Sequence, residues 1–292
     1  MLLCTQTSVA VQYFGWEEGI RLLAEAGFDA LDVSLFDMTK DESIWNGDTY
    51  KEHAAFVRAI AERNGVFFHQ AHAPFPSSLL KEGYTEDIFK KIVRSIEVAA
   101  LLGVKIIVVH PMQELPYHYN KQVLFEENME FYQKLMPICE KFDIKVATEN
   151  MWQYDDKRKV IIESTCGSPE EFNQYVDTIH NEHLVACLDL GHCGLIGEDA
   201  ADMIRKLGHD RLQALHVHDN DHRNDTHTAP YLGKMDWESI TQALADIDYA
   251  GVFTFEADNF YSPFPKEFFA QNAKFLHDIG RLLIEKIEAK KQ

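Results

Sequence analysis

The sequence predicts a (β/α)8 barrel, or TIM barrel, formed by one domain that spans residues 1–292. Short apolar, β-branched runs alternate with longer segments of helical periodicity along the whole chain. A glycine stands just after several helical segments, where a left-handed C-cap is expected. No Ser- or Gly-rich linker and no low-complexity tract interrupts this alternation. These observations favour one continuous barrel without a domain boundary.

The apolar runs are continuous rather than alternating, which is typical of strands buried on both faces of a parallel sheet. Eight such runs follow one another: LLCTQTS from Leu2, DALDVSL from Asp29, VFFHQAH from Val66, KIIVVH from Lys105, IKVATE from Ile144, LVACLD from Leu184, LQALHVHD from Leu212 and VFTFEAD from Val252. Eight strand–helix units in one domain predict an α/β barrel.

Helical periodicity is clear in two of the intervening segments, 16–27 and 84–103. In the second segment, apolar residues recur at intervals of three and four: Ile88, Ile92, Ile96, Ala99 and Ala100. Glycine stands just after three of the helical segments: Gly27, Gly65 and Gly103. We expect each of these glycines to adopt a left-handed conformation.

Composition and charge exclude several classes of protein. The chain is 46% hydrophobic and 26% charged, which is ordinary for a globular protein and argues against disorder. The formal net charge of -19 repels a phosphate backbone, because nucleic-acid affinity depends largely on lysine and arginine. We therefore expect no nucleic-acid partner.

Cysteine usage and the N-terminus predict a cytoplasmic location. The five cysteines are odd in number and show no CxxC spacing, so neither a disulfide framework nor a structural zinc knot is indicated. The first twenty residues have no basic n-region, and their apolar run is too short for a signal sequence. No later stretch approaches the length of a membrane span, so we expect no membrane contact.

Chemically active side chains end most of the predicted strands. In a barrel of this kind, the chemistry lies at the C-terminal ends of the strands. Six of the eight runs end in a residue that can bind metal or move a proton: His72, His110, Glu149, Asp189, His216 and Glu256. Ionised carboxylates at the ends of apolar runs are costly to bury unless they are paired or coordinated.

The segment 214–230, ALHVHDNDHRNDTHTAP, is dense in histidine and aspartate. It is either a solvated loop or part of a metal site. The strand-end pattern favours the metal site, in which His218 and Asp219 would orient His216. Oxygen ligands with one imidazole suit Mn²⁺, Mg²⁺ or Co²⁺ at least as well as Zn²⁺. We expect a divalent cofactor, with Mn²⁺ as the first choice.

Five motifs in chain order resemble the xylose isomerase-like barrel family of sugar (phosphate) isomerases and epimerases. They are ENMWQYD from Glu149, LDLGH from Leu188, HVHDND from His216, DTHTAPYLGKMDW from Asp225 and FEAD from Phe255. Their order and spacing match the family over nearly the whole chain. Together the motifs are specific for the superfamily, and much less so for one substrate.

The resemblance implies a metal held by Glu149, Asp189, His216 and Glu256. In ketose 3-epimerases of this family, the two glutamates also transfer the proton. The resemblance therefore implies an isomerase that acts on a small sugar, with Glu149 and Glu256 as its acid–base pair.

The resemblance also implies substrate contacts. His192, in LDLGH, resembles a family histidine that touches substrate oxygens. Asp155 occupies the position of a substrate-binding glutamate, although its side chain is shorter. A substrate-binding arginine is expected six residues beyond the metal histidine, but His222 stands there, with Arg223 next to it.

Each strand-end residue also has a structural alternative. Glu149 and Glu256 could be salt-bridged or helix-capping carboxylates, and Asp189 could cap the helix that follows it. His72 and His110 precede proline-containing turns. They either contact the substrate or serve as hydrogen-bonded loop histidines.

The predicted reaction explains why these residue types are needed. Moving a proton at the carbon beside a carbonyl requires a base within hydrogen-bond reach and stabilisation of the enediolate. A divalent ion bound to the carbonyl and hydroxyl oxygens supplies that stabilisation. Two carboxylates on opposite sides of the sugar invert the carbon, whereas one carboxylate that moves the proton between adjacent carbons interconverts aldose and ketose. The sequence leaves both outcomes open.

Two other functions are consistent with the same barrel. Zinc-dependent apurinic endonucleases share it, and their trinuclear ligands resemble nine residues here: His72, His110, Glu149, Asp189, His192, His216, Asp225, His227 and Glu256. Asp225 and His227 are therefore candidates for an additional metal. The acidic charge argues against a nuclease. A non-catalytic sugar-binding barrel is the third alternative, but binding alone does not need two opposed carboxylates.

Aromatic residues and the absence of a phosphate motif bear on the substrate and on assembly. Several aromatic residues, including Phe36 and Trp152, lie near the predicted strand ends, where they could line a sugar pocket or a homo-oligomer interface. No Gly-rich phosphate cradle is present, which favours an unphosphorylated sugar.

Overall fold

The structure, a computed structural model, describes residues 1–291. Ten strands lie within these residues: β1 (Leu3–Gln6), β2 (Ala30–Ser34), β3 (Phe67–His72), β4 (Ile106–Val108), β5 (Lys145–Glu149), β6 (Trp152–Asp155), β7 (Val160–Glu163), β8 (Leu184–Asp189), β9 (Leu212–His216) and β10 (Phe253–Phe255). Eight of them coincide with the eight apolar runs, so the strand prediction is confirmed.

The eight strands form one parallel sheet in the order β10-β1-β2-β3-β4-β5-β8-β9. Each strand pairs in parallel with its neighbour in this order. A parallel bridge between Val217 and Phe255 joins the two ends of the sheet. The predicted (β/α)8 barrel is therefore the observed architecture.

Nine α-helices surround the barrel within the described residues: α1 (Ser8–Ala26), α2 (Tyr50–Arg63), α3 (Tyr84–Leu102), α4 (Tyr117–Phe142), α5 (Pro169–Ile179), α6 (Leu190–Ile196), α7 (Ala200–Arg211), α8 (Trp237–Asp246) and α9 (Phe269–Lys290). Short 3₁₀ turns lie at Phe36–Thr39, Asp258–Tyr261 and Lys266–Phe268. Over residues 1–291, no helix combines the length and the apolar character needed to cross a lipid bilayer.

The predicted glycine stops are confirmed. Gly27 and Gly103 follow α1 and α3 in the left-handed region, with φ of 108° and 88°. Gly65 has a φ of 73° one residue beyond the cap of α2. Helix α1 begins eight residues earlier than the predicted segment 16–27. A further helical stretch precedes this segment, and the two stretches meet at a kink at Gly15, which has non-helical dihedral angles (φ 73°, ψ 177°).

An antiparallel hairpin of β6 and β7 is inserted after β5 and was not predicted from the sequence. Its residues are mostly half-buried or exposed, so it lacks the apolar run that marks the barrel strands. Its pairing begins at Trp152, three residues after Glu149. The hairpin therefore lies beside the C-terminal end of β5, next to the predicted site.

Small and branched apolar side chains fill the barrel interior, in a cluster of Ile106, Val108, Ala147, Val185, Cys187 and Ala214. All five cysteines are buried and unpaired. The polar residues at the C-terminal ends of the strands therefore lie directly above the apolar core of the barrel.

Candidate metal centre

The six residues predicted at strand ends lie at one mouth of the barrel. His72, Glu149, Asp189 and His216 are the last residues of β3, β5, β8 and β9, and Glu256 directly follows β10. Each of the six is buried, with Glu256 the most exposed at 9%. Parallel strands that end at the same level bring these side chains together from distant parts of the chain.

Four of these residues form what we call the primary cluster: Glu149, Asp189, His216 and Glu256. One ligand atom from each lies within 4.8 Å of the others. His216 Nδ1 is 3.2 Å from Glu149 Oε1 and 3.1 Å from Glu256 Oε2. The structure thus brings together the same four residues that the family resemblance implied as metal ligands.

The primary cluster fits a divalent cation. His216 Nδ1 approaches both glutamates, yet among the described residues it has no hydrogen-bond partner of acceptable geometry, and neither has Glu149 Oε2. Three buried carboxylates at one point cost several kcal/mol each unless opposite charge offsets them. Oxygen donors with one imidazole nitrogen are a ligand set that Mn²⁺, Mg²⁺ and Zn²⁺ accept.

The electrostatics of the primary cluster favour charged side chains. Burial by itself raises the pKa of Glu149, but the interactions of its carboxylate with the imidazoles of His216 and His110 outweigh burial and hold this pKa well below its usual value. Burial also raises the pKa of Glu256, but His216 and His72 outweigh this effect, and the pKa lies well below its usual value. Burial lowers the pKa of His216, and the surrounding acidic groups raise it well above its ordinary value.

Asp189 combines a structural role with its place in the primary cluster. Its Oδ1 accepts the backbone N–H of His192 at 2.7 Å and so caps α6. The Asn150 side chain bridges its backbone, since it donates to the carbonyl of Asp189 at 2.9 Å and accepts from its N–H at 2.7 Å. Asp189 therefore caps α6, as the structural alternative suggested, and its carboxylate also lies in the primary cluster.

A second group of metal-ligating side chains lies beside the first. We call His192, His218, Asp225 and His227 the secondary cluster, and their ligand atoms also lie within 4.8 Å of one another. Asp225 Oδ2 is 3.2 Å from His227 Nε2 and 3.5 Å from His192 Nε2. The rings of His218 and His227 stack at 3.9 Å. Asp225 and His227, predicted as an additional metal site, are therefore joined by two further histidines.

Hydrogen bonds orient the histidines of the secondary cluster. His192 Nδ1 donates to the carbonyl oxygen of Asn150 at 2.7 Å, and His227 Nδ1 donates to that of Glu256 at 2.8 Å. Each Nε2 is thereby directed towards Asp225, an arrangement that commonly surrounds a metal. Asp225 Oδ1 has no hydrogen-bond partner among the described residues.

The pKa values in the secondary cluster are strongly shifted. Burial lowers the pKa of His192, but the carboxylates of Asp189 and Asp225 raise it to about 10. Burial also opposes protonation of His227, and Asp225 with Glu256 raises its pKa to about 10. Burial raises the pKa of Asp225, and the two histidines more than reverse this effect. The carboxylate is therefore ionised between cationic imidazoles.

Asp219 organises the loop that carries Asp225 and His227. Its Oδ1 accepts from the backbone of Asn220 and Met235, and its Oδ2 accepts from the backbone of Tyr231 and the indole of Trp237, at 2.8–3.1 Å. Asp219 is fully buried. It therefore holds the loop together, whereas the sequence suggested that it orients His216.

His72 and His110 lie behind and beside the glutamates. His72 is fully buried, and its Nε2 lies 3.3 Å from Glu256 Oε1. Its Nδ1 faces Asp32 Oδ1 at 3.0 Å. Burial lowers the pKa of His72, but Asp32, together with Glu256, raises it to about 9. His110 Nε2 lies 3.1 Å from Glu149 Oε2, and its ring packs 4.6 Å from that of Phe75.

Three predicted substrate contacts are not brought into the clusters. The Asp155 carboxylate accepts the backbone N–H groups of Lys157 and Arg158, and so closes the turn between β6 and β7. His222 is exposed and lies over Gly194, while Arg223 is exposed on the same loop. Among residues 1–291, no hydrogen bond or ion pair joins these three side chains to either cluster. Their substrate roles stay predictions from the resemblance.

The sequence did not identify two polar residues near the glutamates. Gln6, the last residue of β1, donates to Glu256 Oε1 at 2.8 Å. Asp32 lies in β2 and contacts His72. Both residues belong to the two apolar runs in which the sequence showed no strand-end ligand. The signal that could have identified them was a polar residue near the end of an apolar run.

Trp152, one of the aromatic residues noted near the strand ends, lies beside the secondary cluster. Its indole donates to Asp225 Oδ2 at 3.1 Å.

Comparison with known proteins establishes the family. Residues 20–279 match the sequence pattern of the xylose isomerase-like TIM barrel family. The chain belongs to this family. The resemblance predicted from the strand-end motifs is thereby confirmed.

Relatives by sequence are distant but extend over most of the chain. An uncharacterised protein of Sinorhizobium fredii is 24% identical over 276 residues, which cover 82% of each chain. A D-psicose 3-epimerase of Enterocloster bolteae is 26% identical over 238 residues, which cover 79% of this chain and 72% of the relative. Both relatives therefore match more than three quarters of this chain.

Solved structures share the whole fold. A D-tagatose 3-epimerase-like protein superposes with a TM-score of 0.77 at 22% identity, covering 100% of both chains. A D-psicose 3-epimerase of Clostridium cellulolyticum H10 has a TM-score of 0.73 at 16% identity and covers 97% of this chain and 99% of its own. A 3-keto-D-glucoside 4-epimerase of E. coli has a TM-score of 0.72 at 17% identity, covering 95% and 99%.

Proposed function

We propose that this protein is a metal-dependent sugar epimerase or isomerase that moves a proton beside a ketose carbonyl. The observation that carries the proposal is the primary cluster, in which two buried glutamates from different strands lie 3.2 and 3.1 Å from one histidine nitrogen. The D-psicose 3-epimerase that is 26% identical over 79% of this chain supports the substrate class.

We propose that Glu149, Asp189, His216 and Glu256 hold the ion, with Mn²⁺ as the first choice. The orphaned atoms His216 Nδ1 and Glu149 Oε2 support this assignment. When bound, the ion supplies Lewis-acid stabilisation of the negative charge that develops on the substrate oxygens. The carboxylates of the primary cluster are buried and already oriented, so they need not reorient during the reaction.

The two glutamates are the proposed acid–base pair. Glu149 ends β5 and Glu256 follows β10, and β8 and β9 separate these strands on the shorter path around the barrel. One carboxylate removes the proton beside the carbonyl, and the other donates a proton to the opposite side of the same carbon. Two carboxylates on separate strands favour epimerisation over transfer by a single base. Both pKa values are lowered, so either glutamate can start as the ionised base at neutral pH. The other glutamate must hold a proton when the enediolate forms; after inversion the two have exchanged protonation states, and proton exchange with solvent or the reverse turnover restores them.

Residues around the primary cluster complete the proposed pocket. His110 is 6% exposed, and we propose that it contacts a substrate oxygen from beside Glu149. Phe36 is partly exposed and lies 5.4 Å from the ring of His72, so it provides an apolar wall against which a sugar can pack. For His192 we propose a role in the secondary cluster in place of the substrate contact that the resemblance implied, because its Nε2 faces Asp225.

We propose that the secondary cluster holds an additional ion. Three histidines around one carboxylate suit Zn²⁺ or another borderline metal better than Mg²⁺. This cluster is the specific observation that favours a second candidate function, a phosphoesterase of the apurinic-endonuclease type. The net charge of -19 opposes binding to a nucleic-acid backbone, so the epimerase is the preferred function.

The proposed function is tested by solvent-deuterium exchange. The purified protein is incubated in D₂O with ketoses, beginning with D-psicose and D-tagatose, with and without added Mn²⁺. Metal-dependent incorporation of deuterium at C3, followed by NMR, supports 3-epimerisation, whereas incorporation at C1 supports isomerisation. If no ketose exchanges but the protein cleaves a DNA duplex with an abasic site, the phosphoesterase assignment replaces the proposal.

A further inference from the structure

A chain of buried polar side chains runs from strand β2 to the catalytic mouth. Asp32 Oδ1 contacts His72 Nδ1 at 3.0 Å, and His72 Nε2 lies 3.3 Å from Glu256 Oε1. Asp32 and His72 are both fully buried. The two residues therefore lie in one line behind Glu256, away from the open side of the site.

The Asp32 carboxylate is fixed from several sides. Its second oxygen, Oδ2, accepts from Gln70 Nε2 at 2.9 Å. Its backbone carbonyl accepts from both the N–H and the hydroxyl of Thr7, at 2.9 and 3.0 Å. Because the carboxylate cannot rotate without losing the bond from Gln70, Oδ1 stays directed at His72. Burying a charge costs several kcal/mol unless its partners compensate. The hydrogen bond from Gln70 and the contact with His72 supply this compensation for Asp32.

The His72 ring is held in one plane. It stacks on the ring of His216 at 4.3 Å with an interplanar angle of 18°, and the ring of Phe36 lies 5.4 Å away in a T-shaped arrangement. With one face stacked and no exposed surface, the ring acts through its two nitrogens. One nitrogen faces Asp32 and the other faces Glu256.

Glu256 needs such support because its two oxygens have different tasks. Oε2 faces His216 Nδ1 at 3.1 Å, on the side of the primary cluster. Oε1 accepts from Gln6 Nε2 at 2.8 Å and lies 3.3 Å from His72 Nε2. Rotation of the carboxylate would therefore break the contacts of Oε1 and displace Oε2 at the same time.

We propose that Asp32 and His72 form a positioning pair that fixes the carboxylate of Glu256 for proton transfer. Asp32 directs His72, and the contact of His72 Nε2 with Oε1, beside the hydrogen bond from Gln6, keeps this oxygen in place, so that Oε2 keeps its orientation towards the reacting carbon and the cation. This inference rests on the proposed function of Glu256 as a base. It gives His72 a role behind the catalytic residue, in place of the substrate contact considered from the sequence.

The other glutamate lacks an equivalent device. Glu149 Oε2 faces His110 Nε2 at 3.1 Å, but among residues 1–291 the Nδ1 atom of His110 has no hydrogen-bond partner. His110 packs against Phe75 instead of a carboxylate. The positioning pair therefore belongs to Glu256, and its loss should affect this glutamate selectively.

Two substitutions of His72 separate its two contacts. In His72→Gln, the amide nitrogen reaches the position of Nε2 and keeps the contact with Glu256 while losing the contact with Asp32. In His72→Asn, the amide nitrogen reaches the position of Nδ1 and keeps the contact with Asp32 while losing Glu256. We expect His72→Asn to lower kcat for C3 proton exchange by about 100-fold with little change in KM, because small misplacement of a catalytic group has this effect.

His72→Gln should recover most of the lost kcat, and Asp32→Asn should lower kcat in the same direction as His72→Asn. A merely structural role predicts similar losses for both His72 variants, and that result would overturn the proposal. Thermal unfolding of all variants checks that they fold, and Asp32→Asn carries the kinetic test if His72→Asn does not.

Crystal structures of the metal-free wild type and the two His72 variants give a readout without activity. The Glu256 carboxylate should keep its contact with Gln6 in the wild type and His72→Gln, and rotate in His72→Asn. An unchanged Glu256 in both variants contradicts the positioning role. If the wild type exchanges no ketose proton, the proposed function fails, while the crystallographic comparison still decides whether His72 positions Glu256.

Discussion

The Nε2 atom of His218 lies 3.0 Å from Oδ1 of Asp189. Asp189 belongs to the primary cluster and His218 to the secondary cluster, so this contact joins the two candidate metal sites. His218 Nε2 is also 3.9 Å from Asp225 Oδ1. Occupation of one cluster therefore changes the charge and hydrogen bonding that the other experiences.

Replacement of the proposed base tests its chemical role. Glu256→Gln preserves the size of the side chain but removes the group that accepts the proton. We expect C3 proton exchange to fall by at least about 100-fold, the usual contribution of a general base. The fold should persist, as measured by circular dichroism and thermal unfolding. Glu285→Gln, an exposed residue on α9, is the matched control and should exchange at the wild-type rate. Normal turnover by Glu256→Gln would remove the proposed role.

The secondary cluster is tested by metal content. Asp225→Asn removes the carboxylate that the histidines of this cluster surround. After loading with Zn²⁺ and gel filtration, the metal content should fall from about two ions per chain to about one, because the carboxylate is a ligand only of the secondary cluster. The exposed His222→Gln variant should retain the wild-type content. An unchanged content in Asp225→Asn would show that the second ion is bound elsewhere or is not bound at all.

The raised histidine pKa values predict how the stability of the metal-free protein depends on pH. His72, with a pKa of about 9, and His192 and His227, with pKa values of about 10, bind their protons more tightly in the folded state. This stabilisation is fully present below about pH 6.5, the unfolded pKa of histidine, and is lost as the pH rises through 9 to 10. Urea unfolding of chelator-treated protein should therefore show a falling free energy of unfolding over this range.

The carboxylates act at the acidic end of the same profile. The lowered pKa values of Glu149 and Asp225 contribute stability above about pH 4, and this contribution is lost as the pH falls. Saturating Mn²⁺ should reverse the alkaline trend, because a metal binds unprotonated histidine. A stability that is constant or rising between pH 6.5 and 9 in the metal-free protein would contradict the assigned charges.

The loop that carries Asp225 and His227 depends on Asp219. Asp219→Ala leaves four donors without their acceptor, three backbone N–H groups and the indole of Trp237. We expect a loss of about 3 kcal/mol in the free energy of unfolding, since buried unsatisfied donors are costly. Asp219→Asn, which keeps one oxygen acceptor, should lose less. Arg223→Ala, at an exposed position of the same loop, is the control and should change stability by less than about 1 kcal/mol.

The eight barrel strands and the primary cluster could be predicted because their signals are local. Each strand is a short apolar run, and its last polar residue lies at the barrel mouth as a direct consequence of parallel topology. Glu149 and His216 are examples, since they end β5 and β9 and lie 3.2 Å apart. Their convergence follows once the fold class is known.

The surroundings of the site could not be predicted in the same way. Asp32 lies in an ordinary β2 run, and its contact with His72 depends on the register of β2 and β3 and on a register shift between Leu31 and Asp32. The paths of loops are equally hidden, so the position of Asp155 at the turn of the β6–β7 hairpin could not be inferred from its spacing after Glu149. Side chains that depend on register or loop path need the structure.

The most direct test of the central claim is a titration of metal-free protein with Mn²⁺ while C3 proton exchange of a ketose is followed in D₂O. We expect no exchange after treatment with chelator, then a rise in rate that saturates when about one ion fills the primary cluster of each chain. Exchange that persists without metal, or a protein that binds Mn²⁺ at Glu149 and Glu256 yet exchanges no ketose proton, would contradict the proposed metal-dependent proton transfer.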